Sequence, residues 1–204
     1  MDKSFPITQV LPNAVSAHAD FLRTLPNDLP AFNPRVSSRA TWIPPPHLMF
    51  KVNFDGAVFK EENKATIGVV IWDDLGQVMA SMSENISLPS SVDEIETPAT
   101  VRTLNFSQEV GFSSIILECD FERVINSWRS KETSFSSFGH LLEDAKVLAE
   151  SFAGFIVSHV KRQGNSIVHN LARYAKHVSD LKVWMKSVPS RLNAIIVADL
   201  TSFL

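Results

Sequence analysis

The sequence has very little of what several common classes of protein require. Only one of its 204 residues is a cysteine, so an internal disulfide is excluded and we expect a reducing compartment, the cytosol or the nucleus. No apolar run approaches the roughly 20 residues that span a bilayer, and the first residues lack the pattern of a signal peptide. Cys-x-x-Cys, His-Glu-x-x-His, glycine-rich phosphate loops and Gly-x-Ser-x-Gly are also missing. We therefore expect a soluble intracellular protein without the chemistry of those motifs.

The chain also lacks a surplus of basic residues. It has 19 lysines and arginines against 22 acids, which gives a net charge of −3. Proteins that bind nucleic acid usually carry excess positive charge, because neutralising phosphates supplies much of their affinity. An enzyme that holds its substrate partly through metal ions needs less basic surface. The charge therefore disfavours simple phosphate binders and leaves metal-assisted enzymes open.

The composition is that of a globular protein, with 45% hydrophobic residues and 14 phenylalanines for a core. Prolines interrupt residues 1–46, and Pro44–Pro46 closes that segment. We therefore predict a poorly ordered arm over residues 1–46 and one domain over 47–180. Residues 181–204 are predicted to be a tail that packs on the domain as a short helix.

The hydrophobic pattern of the domain predicts three antiparallel strands, followed by helices that alternate with two more strands. The first three strands are Met49–Asp55, Thr66–Trp72 and Gln77–Ser83, with a turn at Asp73–Gly76. The later strands are Ser114–Cys119 and Phe155–Val160, and the helices are Glu96–Val110, Phe121–Arg129, Phe138–Phe152 and Asn165–Ala175. This order predicts an α/β fold in which helices cover a mixed sheet.

Three carboxylates stand where an acid is hard to explain by folding alone. Asp55 ends a strand-like run, Asp120 ends a strongly apolar one, and Glu96 lies near the start of the helix between them. Ligands collect beyond the carboxyl ends of strands in sheets that are covered by helices. These acids therefore predict a negatively charged pocket that holds a cation.

Each acid also has a structural explanation that the sequence leaves open. Asp55 suits a turn before a glycine, Glu96 suits the first turn of a helix, and Asp120 suits an N-cap. Asp93 and Glu94 lie near Glu96 in sequence and are alternatives for its role.

Several segments resemble ribonuclease H in the form found in plants and in plant retrotransposons. In chain order they are Trp42–Pro46, Lys51–Ala57, Ile67–Ile71, Asp73–Gly76, Gln108–Phe112, Ile116–Asp120 and Arg162–Arg173. The likeness preserves order and spacing over about residues 42–200. It implies a ribonuclease H-like fold with a five-stranded mixed sheet, three strands antiparallel and then two parallel, with helices on both faces.

The resemblance also implies metal-dependent cleavage of the RNA strand of an RNA–DNA hybrid. Asp55, Glu96 and Asp120 stand at the positions of the family's acids, as ligands of two Mg²⁺ ions that straddle the scissile phosphate. His169 stands where many members carry a fourth acid, and we expect it to join the catalytic set or to aid product release. Because imidazole is a softer ligand than carboxylate, Mn²⁺ is predicted to substitute well for Mg²⁺.

Further residues are predicted to contact the nucleic acid. Two flank the first acid, one lies on a basic helix face, and three lie around the last strand and the final helix. These candidates are Asn53, Gly56, Arg123, Lys161, Arg162 and Asn165.

Two alternatives to a nuclease stay open. One is a catalytically inactive, retroelement-derived module that binds nucleic acid or a protein without cleaving it. The acidic net charge, Pro98 in a helix and Phe121 in place of the family's usual serine favour this version. The other is an interaction module that docks a partner through Phe21, Leu22 and Phe32 of the arm. In each case we expect a monomer that has no membrane partner.

Overall fold

The computed structural model describes residues 42–89, 95–130, 137–177 and 180–201. Its strands are β1 Phe50–Phe59, β2 Lys64–Trp72, β3 Val78–Ser87, β4 Ser114–Cys119, β5 Gly154–His159 and β6 Leu181–Met185. Its helices are α1 Glu96–Glu109, α2 Glu122–Arg129, α3 Ser137–Ala149, α4 Ser166–Tyr174 and α5 Asn193–Thr201. Short 3₁₀ turns cover Lys60–Glu62, Arg162–Asn165, Ala175–His177 and Ser190–Leu192. Most of the predicted arm lies outside the described residues.

The described strands form one mixed sheet in the order β5-β4-β1-β2-β3-β6. The pairs β1–β2, β2–β3 and β3–β6 are antiparallel, whereas β4 runs parallel to both β1 and β5. The predicted mixed sheet with helices on both faces is present. The predicted count of five strands is wrong, because the described residues form six.

The sixth strand lies in the tail, where the sequence analysis placed a short helix. Apolar side chains at Leu181, Val183 and Met185 alternate with Lys182 and Trp184, which is the period of a strand. Pairing this segment with the edge of β3 satisfies backbone groups of both strands. A helix does follow, as α5, but only after the strand has ended.

The two faces of the sheet pack against different helices. On one face, strand residues such as Ile67, Val69 and Ile71 join α1 and α3 in an apolar cluster around Leu104 and Phe106. The other face packs against α4. Its buried apolar residues are Trp42, Val70, Trp72, Ile167, Val168, Leu171, Val188 and Leu192.

Gly68 permits an unusually close approach of α4 to β2. A Cβ atom at this position would collide with the backbone nitrogen of Ala172 and would lie 2.7 Å from the carbonyl oxygen of Val168. The Thr66 hydroxyl donates a hydrogen bond of 2.8 Å to the Ala172 carbonyl oxygen and fixes the same contact. Because Gly68 is the direct partner of Asp55 across β1 and β2, this contact places α4 over Asp55.

Element boundaries differ most at β1 and β3. The first predicted strand ended at Asp55 and the third at Ser83, whereas β1 continues to Phe59 and β3 to Ser87. The prediction for β4 is confirmed at both ends, and α1 ends before Gly111, whose φ of 89° is a conformation that favours glycine. Alternation beyond Asp55 is interrupted by Gly56 and Ala57, which is why the pattern hid the second half of β1.

Candidate active site

The parallel register of β1 and β4 brings Asp55 and Asp120 to one level of the sheet. Asn53 pairs with Glu118, which is the last pairing between the two strands. Asp55 lies two residues after Asn53, and Asp120 lies two residues after Glu118. Asp55 therefore lies within β1 but beyond the point where its parallel neighbour ends, which is the kind of place the sequence analysis predicted for a site.

Asp55 is a buried carboxylate held by α4. It is 5% exposed, and its Oδ2 atom lies 2.8 Å from Nδ1 of His169. Burial raises the pKa of Asp55 above its usual 3.8, the hydrogen bond to His169 opposes this, and the charge of Asp120 raises the pKa further. A carboxylate that is buried beside a second acid gains most from a nearby cation.

His169 is joined to the predicted site by this contact. Its side chain is 28% exposed, and it follows Val168, whose carbonyl oxygen lies at the close contact with Gly68. Because Nδ1 faces the carboxylate, a neutral His169 with its proton on Nδ1 donates to Asp55 and fixes the orientation of that acid.

Asp120 is oriented by buried amides. Nδ2 of Asn165 lies 3.2 Å from Oδ1 of Asp120 and 3.0 Å from the carbonyl oxygen of Phe54. Oδ1 of Asn165 in turn accepts a hydrogen bond of 3.2 Å from Nδ2 of Asn53. The first strand, β4 and the start of α4 are therefore tied together next to the acid.

This chain of hydrogen bonds continues into a buried ion pair. Nδ2 of Asn53 also donates to Oε2 of Glu118 at 3.0 Å, and Oε1 of Glu118 lies 3.1 Å from Nζ of Lys51. Lys51 donates to the Ile43 carbonyl oxygen at 2.6 Å, and Trp42 donates from Nε1 to Oδ1 of Asn53 at 3.1 Å. A pair of charges this deeply buried persists only when further hydrogen bonds satisfy it, and these contacts do so.

Sequence reasoning missed the positioning function of Lys51, Glu118 and Trp42. The signal was present, since both charged residues interrupt strands whose neighbours are apolar. Trp42, which the sequence analysis placed in the arm, packs against Trp72 with ring centroids 4.8 Å apart.

Glu96 is the first residue of α1, the helix that packs on the face of the sheet opposite α4. Its neighbour Ile95 lies against Gly56, since a Cβ atom built on that glycine would be 2.7 Å from Cγ1 of Ile95. Burial raises the pKa of the Cys119 thiol, and the charges of Asp120 and Glu96 raise it further. The charges of Asp120 and Glu96 therefore both act at the carboxyl end of β4, where Cys119 lies. The alternatives Asp93 and Glu94 lie outside the described residues.

The carboxylate oxygens of Asp55, Glu96 and Asp120 suit a hard divalent cation such as Mg²⁺. In the part of the chain that the structure describes, no three His, Cys, Asp or Glu side chains form a group ready to hold a metal ion. Burial and the charge of Asp120 raise the pKa of Asp55, and a cation bound at this place would lower it.

The predicted nucleic-acid contacts fall into two groups. Asn53 and Asn165 are each 1% exposed and are engaged in the hydrogen bonds described above, while Gly56 packs on Ile95. Arg123, Lys161 and Arg162 are exposed. A surface depression of about 280 Å³ lies next to His169, and its other lining residues are Arg162, Gln163 and Ser166.

Comparison with known proteins identifies the family. A sequence profile described as reverse transcriptase-like matches residues 53–175, which is more than half of the chain. The protein therefore belongs to the reverse transcriptase-like family, and the resemblance seen in the sequence is confirmed. No curated protein sequence matches the chain.

Solved structures establish the ribonuclease H-like fold. Ribonuclease H1 from the archaeon Halobacterium salinarum NRC-1 is 23% identical with a TM-score of 0.57, covering 63% of this chain and 98% of that one. LC11 ribonuclease H1, isolated from compost and solved with an RNA/DNA hybrid, is 20% identical with a TM-score of 0.55, covering 64% and 99%. The ribonuclease H domain of a Mycobacterium tuberculosis protein is 19% identical with a TM-score of 0.54, covering 63% and 94%. Identities this low carry the fold alone.

Membrane insertion through a helix finds no support in the described ranges. None of the helices α1 to α5 combines the length and the apolar character that a bilayer crossing needs.

Proposed function

We propose that the protein is a divalent-metal-dependent endonuclease that cleaves the RNA strand of an RNA–DNA hybrid. The observation that carries the proposal is the placement of buried Asp55 level with Asp120 in a sheet of the ribonuclease H-like fold. Membership of the reverse transcriptase-like family and the hybrid bound to the LC11 enzyme favour this substrate.

Asp55, Glu96 and Asp120 are the residues that would hold Mg²⁺ or Mn²⁺. Two such ions would activate a water molecule and stabilise the leaving oxygen at the scissile phosphate. The chain contributes three carboxylates from β1, α1 and the end of β4, so the acids come from elements that the sheet holds rigidly. Rigid placement matters because hydrolysis of a phosphodiester depends on the alignment of water, phosphorus and leaving group.

His169 and Asn165 position the acids. Nδ1 of His169 lies 2.8 Å from Oδ2 of Asp55, and Nδ2 of Asn165 donates to Oδ1 of Asp120, so each acid keeps one oxygen directed by α4 or by the turn before it. The remaining carboxylate oxygens are then available to a cation. The His169 side chain lines the depression. Its Nε2 atom is suited to exchange a proton with a product that leaves through this depression.

Exposed basic residues beside the depression would position the substrate. Arg162 lines the depression, and Lys161 precedes it in the chain. Contacts of this kind hold the phosphate backbone in register without reading sequence. Asn53 and Asn165, which were predicted to touch nucleic acid, are proposed to act through the carboxylates that they orient.

The test is cleavage of an RNA–DNA hybrid that carries different labels on its two strands. The full-length protein is assayed in Mg²⁺ and, separately, in Mn²⁺. We expect fragments of the RNA strand only, formed in both metals and abolished by chelation. Asp55→Asn removes one negative charge at the site and keeps the shape of the side chain, so we expect it to lose at least about 100-fold in rate.

Asp144→Asn on α3 is the matched control, because it makes the same chemical change at an exposed acid away from the site. It should cleave like the parent protein. Absence of cleavage by a folded parent in either metal would contradict the proposal, and hybrid binding without turnover would then indicate the inactive module.

A further inference from the structure

β6 is the last strand at one end of the sheet. One edge of β6 pairs with β3, and the other, its outer edge, faces away from the sheet. The backbone N–H of Lys186 donates to the carbonyl oxygen of Met79, and the N–H of Asn85 donates to the carbonyl oxygen of Asp180, both at 3.0 Å. Backbone groups alternate in direction along an antiparallel strand. The even-numbered residues of β6 therefore direct their N–H and C=O groups toward β3, and the odd-numbered residues direct theirs outward.

The odd-numbered residues of β6 also carry exposed apolar side chains. Leu181, Val183 and Met185 are 43%, 43% and 57% exposed, and all three lie on the same face of the strand. Within the described part of the chain, no strand pairs with their outward backbone groups. An exposed apolar edge strand is a template for pairing with another strand.

The sequence of β6 and its two flanking residues is complementary to itself about Val183. When two copies run antiparallel with Val183 opposite Val183, each remaining residue meets one of matching chemistry. Apolar meets apolar, a cation meets an aromatic ring, and an acid meets a base. The opposed pairs are Leu181 with Met185 and Lys182 with Trp184. Just outside the strand, Asp180 of one copy and Lys186 of the other, whose φ is 53°, come to the same end of the interface.

From this complementarity we infer that the protein forms a symmetric dimer in which β6 pairs with β6 of a second copy and the two sheets become continuous. A two-fold axis at Val183 makes the interface isologous. The register agrees with the backbone, because Val183 is one of the residues whose N–H and C=O point outward. The two copies can then exchange about six backbone hydrogen bonds through their odd-numbered residues.

Lys182 does not block this pairing. A lysine on an edge strand often prevents association, since a second strand would bury its charge. Here the opposed residue is Trp184, whose ring also packs against Tyr174 with centroids 6.0 Å apart. The lysine therefore meets an aromatic face near solvent, where its charge stays hydrated.

The interface is small, so the dimer is in exchange with the monomer. A strand of five residues buries less than the roughly 1,000 Å² that stable complexes usually need. The monomer expected from the sequence is accordingly the species at low concentration. The site acids lie on β1, on α1 and beyond β4, so the inference is independent of the proposed nuclease activity.

The first test is the mass of the full-length protein by sedimentation equilibrium from about 1 µM to about 1 mM. We expect the mean mass to rise from 22.7 kDa toward twice that value. Val183→Pro removes an outward N–H and no hydrogen bond to β3, so it should stay monomeric with an unchanged circular dichroism spectrum. A parent protein that is monomeric throughout, or a Val183→Pro variant that dimerises like the parent, would overturn the inference.

Charge reversal tests the register separately. Asp180→Lys and Lys186→Asp each bring like charges together at both ends of the interface, so each should raise the dimer Kd by roughly tenfold. The double variant restores opposite charges and should return the Kd to near the parent value. Asp144→Lys, the same change at an exposed site on α3, should leave the Kd unchanged. Failure of the double variant to recover would contradict this register.

Discussion

The two faces of the sheet are built from different chemistry. Toward α1 and α3, the strands present apolar side chains such as Val52, Phe54 and Ile67 to a continuous core. Toward α4, an apolar cluster around Val70 and Trp72 adjoins buried polar residues such as Lys51 and Asn53, both of which contact Glu118. We infer that the α1 face supplies stability through burial of apolar area, whereas the α4 face fixes where the catalytic candidates lie.

Polar groups also mark the α4 face away from the site. The Ser83 hydroxyl donates to the Leu171 carbonyl oxygen at 3.0 Å, and the Ser81 hydroxyl donates to the Ser187 carbonyl oxygen at 2.8 Å. Small residues with hydroxyls let α4 and the loop after β6 approach closely and still satisfy their backbone groups. Close approach with directional contacts is what a precisely placed site needs, and apolar packing alone does not provide it.

Gly68→Ala and Leu104→Ala should separate the two faces most clearly. Each is expected to cost about 3 kcal/mol of unfolding free energy, the first by overpacking against α4 and the second by leaving a cavity under α1. Only Gly68→Ala displaces His169 from Asp55, so it alone should lower the cleavage rate of the folded protein, by about 100-fold. Chemical unfolding measures the stability of the two variants, and cleavage assays measure their activity. Equal loss of activity in both variants would contradict the claim that only the α4 face positions the site.

Lys51→Met tests the buried ion pair on the α4 face. Removing the ammonium leaves the Glu118 carboxylate buried without its counter-charge, and we expect a loss of about 3 kcal/mol in urea unfolding. Lys51→Met combined with Glu118→Gln removes both charges and keeps an acceptor for Asn53, so it should recover most of that loss. A double variant as unstable as the single one would show that the pair acts through something other than charge.

Asp55→Asn should alter stability in a pH-dependent way. Because the folded protein raises the pKa of Asp55, mainly through burial, it binds that proton more tightly than the unfolded chain does. The stability contributed by Asp55 is therefore present below about pH 3.8 and is lost as pH rises through the higher folded value. The variant carries no such charge, so its Tm should exceed that of the parent at pH 7, with the difference shrinking toward pH 4. A difference that does not change with pH would contradict the burial effect.

Arg162→Ala should have the smallest effect, because Arg162 is exposed and contacts only the substrate in the proposed complex. We expect weaker hybrid binding and a slope of log K against log salt that falls by about 0.9, with unchanged Tm. Arg173→Ala is the matched control, because Arg173 is an exposed arginine near the end of α4. Equal effects of the two substitutions would mean that binding depends on net charge rather than on the depression beside His169.

The α1 face was predictable from the sequence, and the α4 face largely was not. Alternation in β1 and continuous apolar character in β4 identify their core positions, and the boundaries of β4 were confirmed. The hydrogen bonds of Asn53 and Asn165 join residues 112 apart in sequence, so no local pattern reveals them. β6 was missed for a different reason: its residues alternate as in a strand, but the tail was predicted to be a helix, and the place of β6 in the sheet depends on pairing with β3.

The sequence did single out Asp55 and Asp120, which the fold places at one level of the sheet. The parallel register of β1 and β4 places Asp55 and Asp120 at the same height in the sheet. That register is set by packing across the whole sheet. The sequence indicated the strand ends, whereas the hydrogen bond between Asp55 and His169 required the close approach of α4 at Gly68.

Calorimetric titration of the full-length protein with Mg²⁺ and with Mn²⁺ tests the central claim, that Asp55, Glu96 and Asp120 share a divalent cation. We expect saturable binding at millimolar concentrations or below, weakened at least tenfold in Asp55→Asn and unchanged in Asp144→Asn. Binding that is absent in the parent, or equally strong in Asp55→Asn, would contradict the claim.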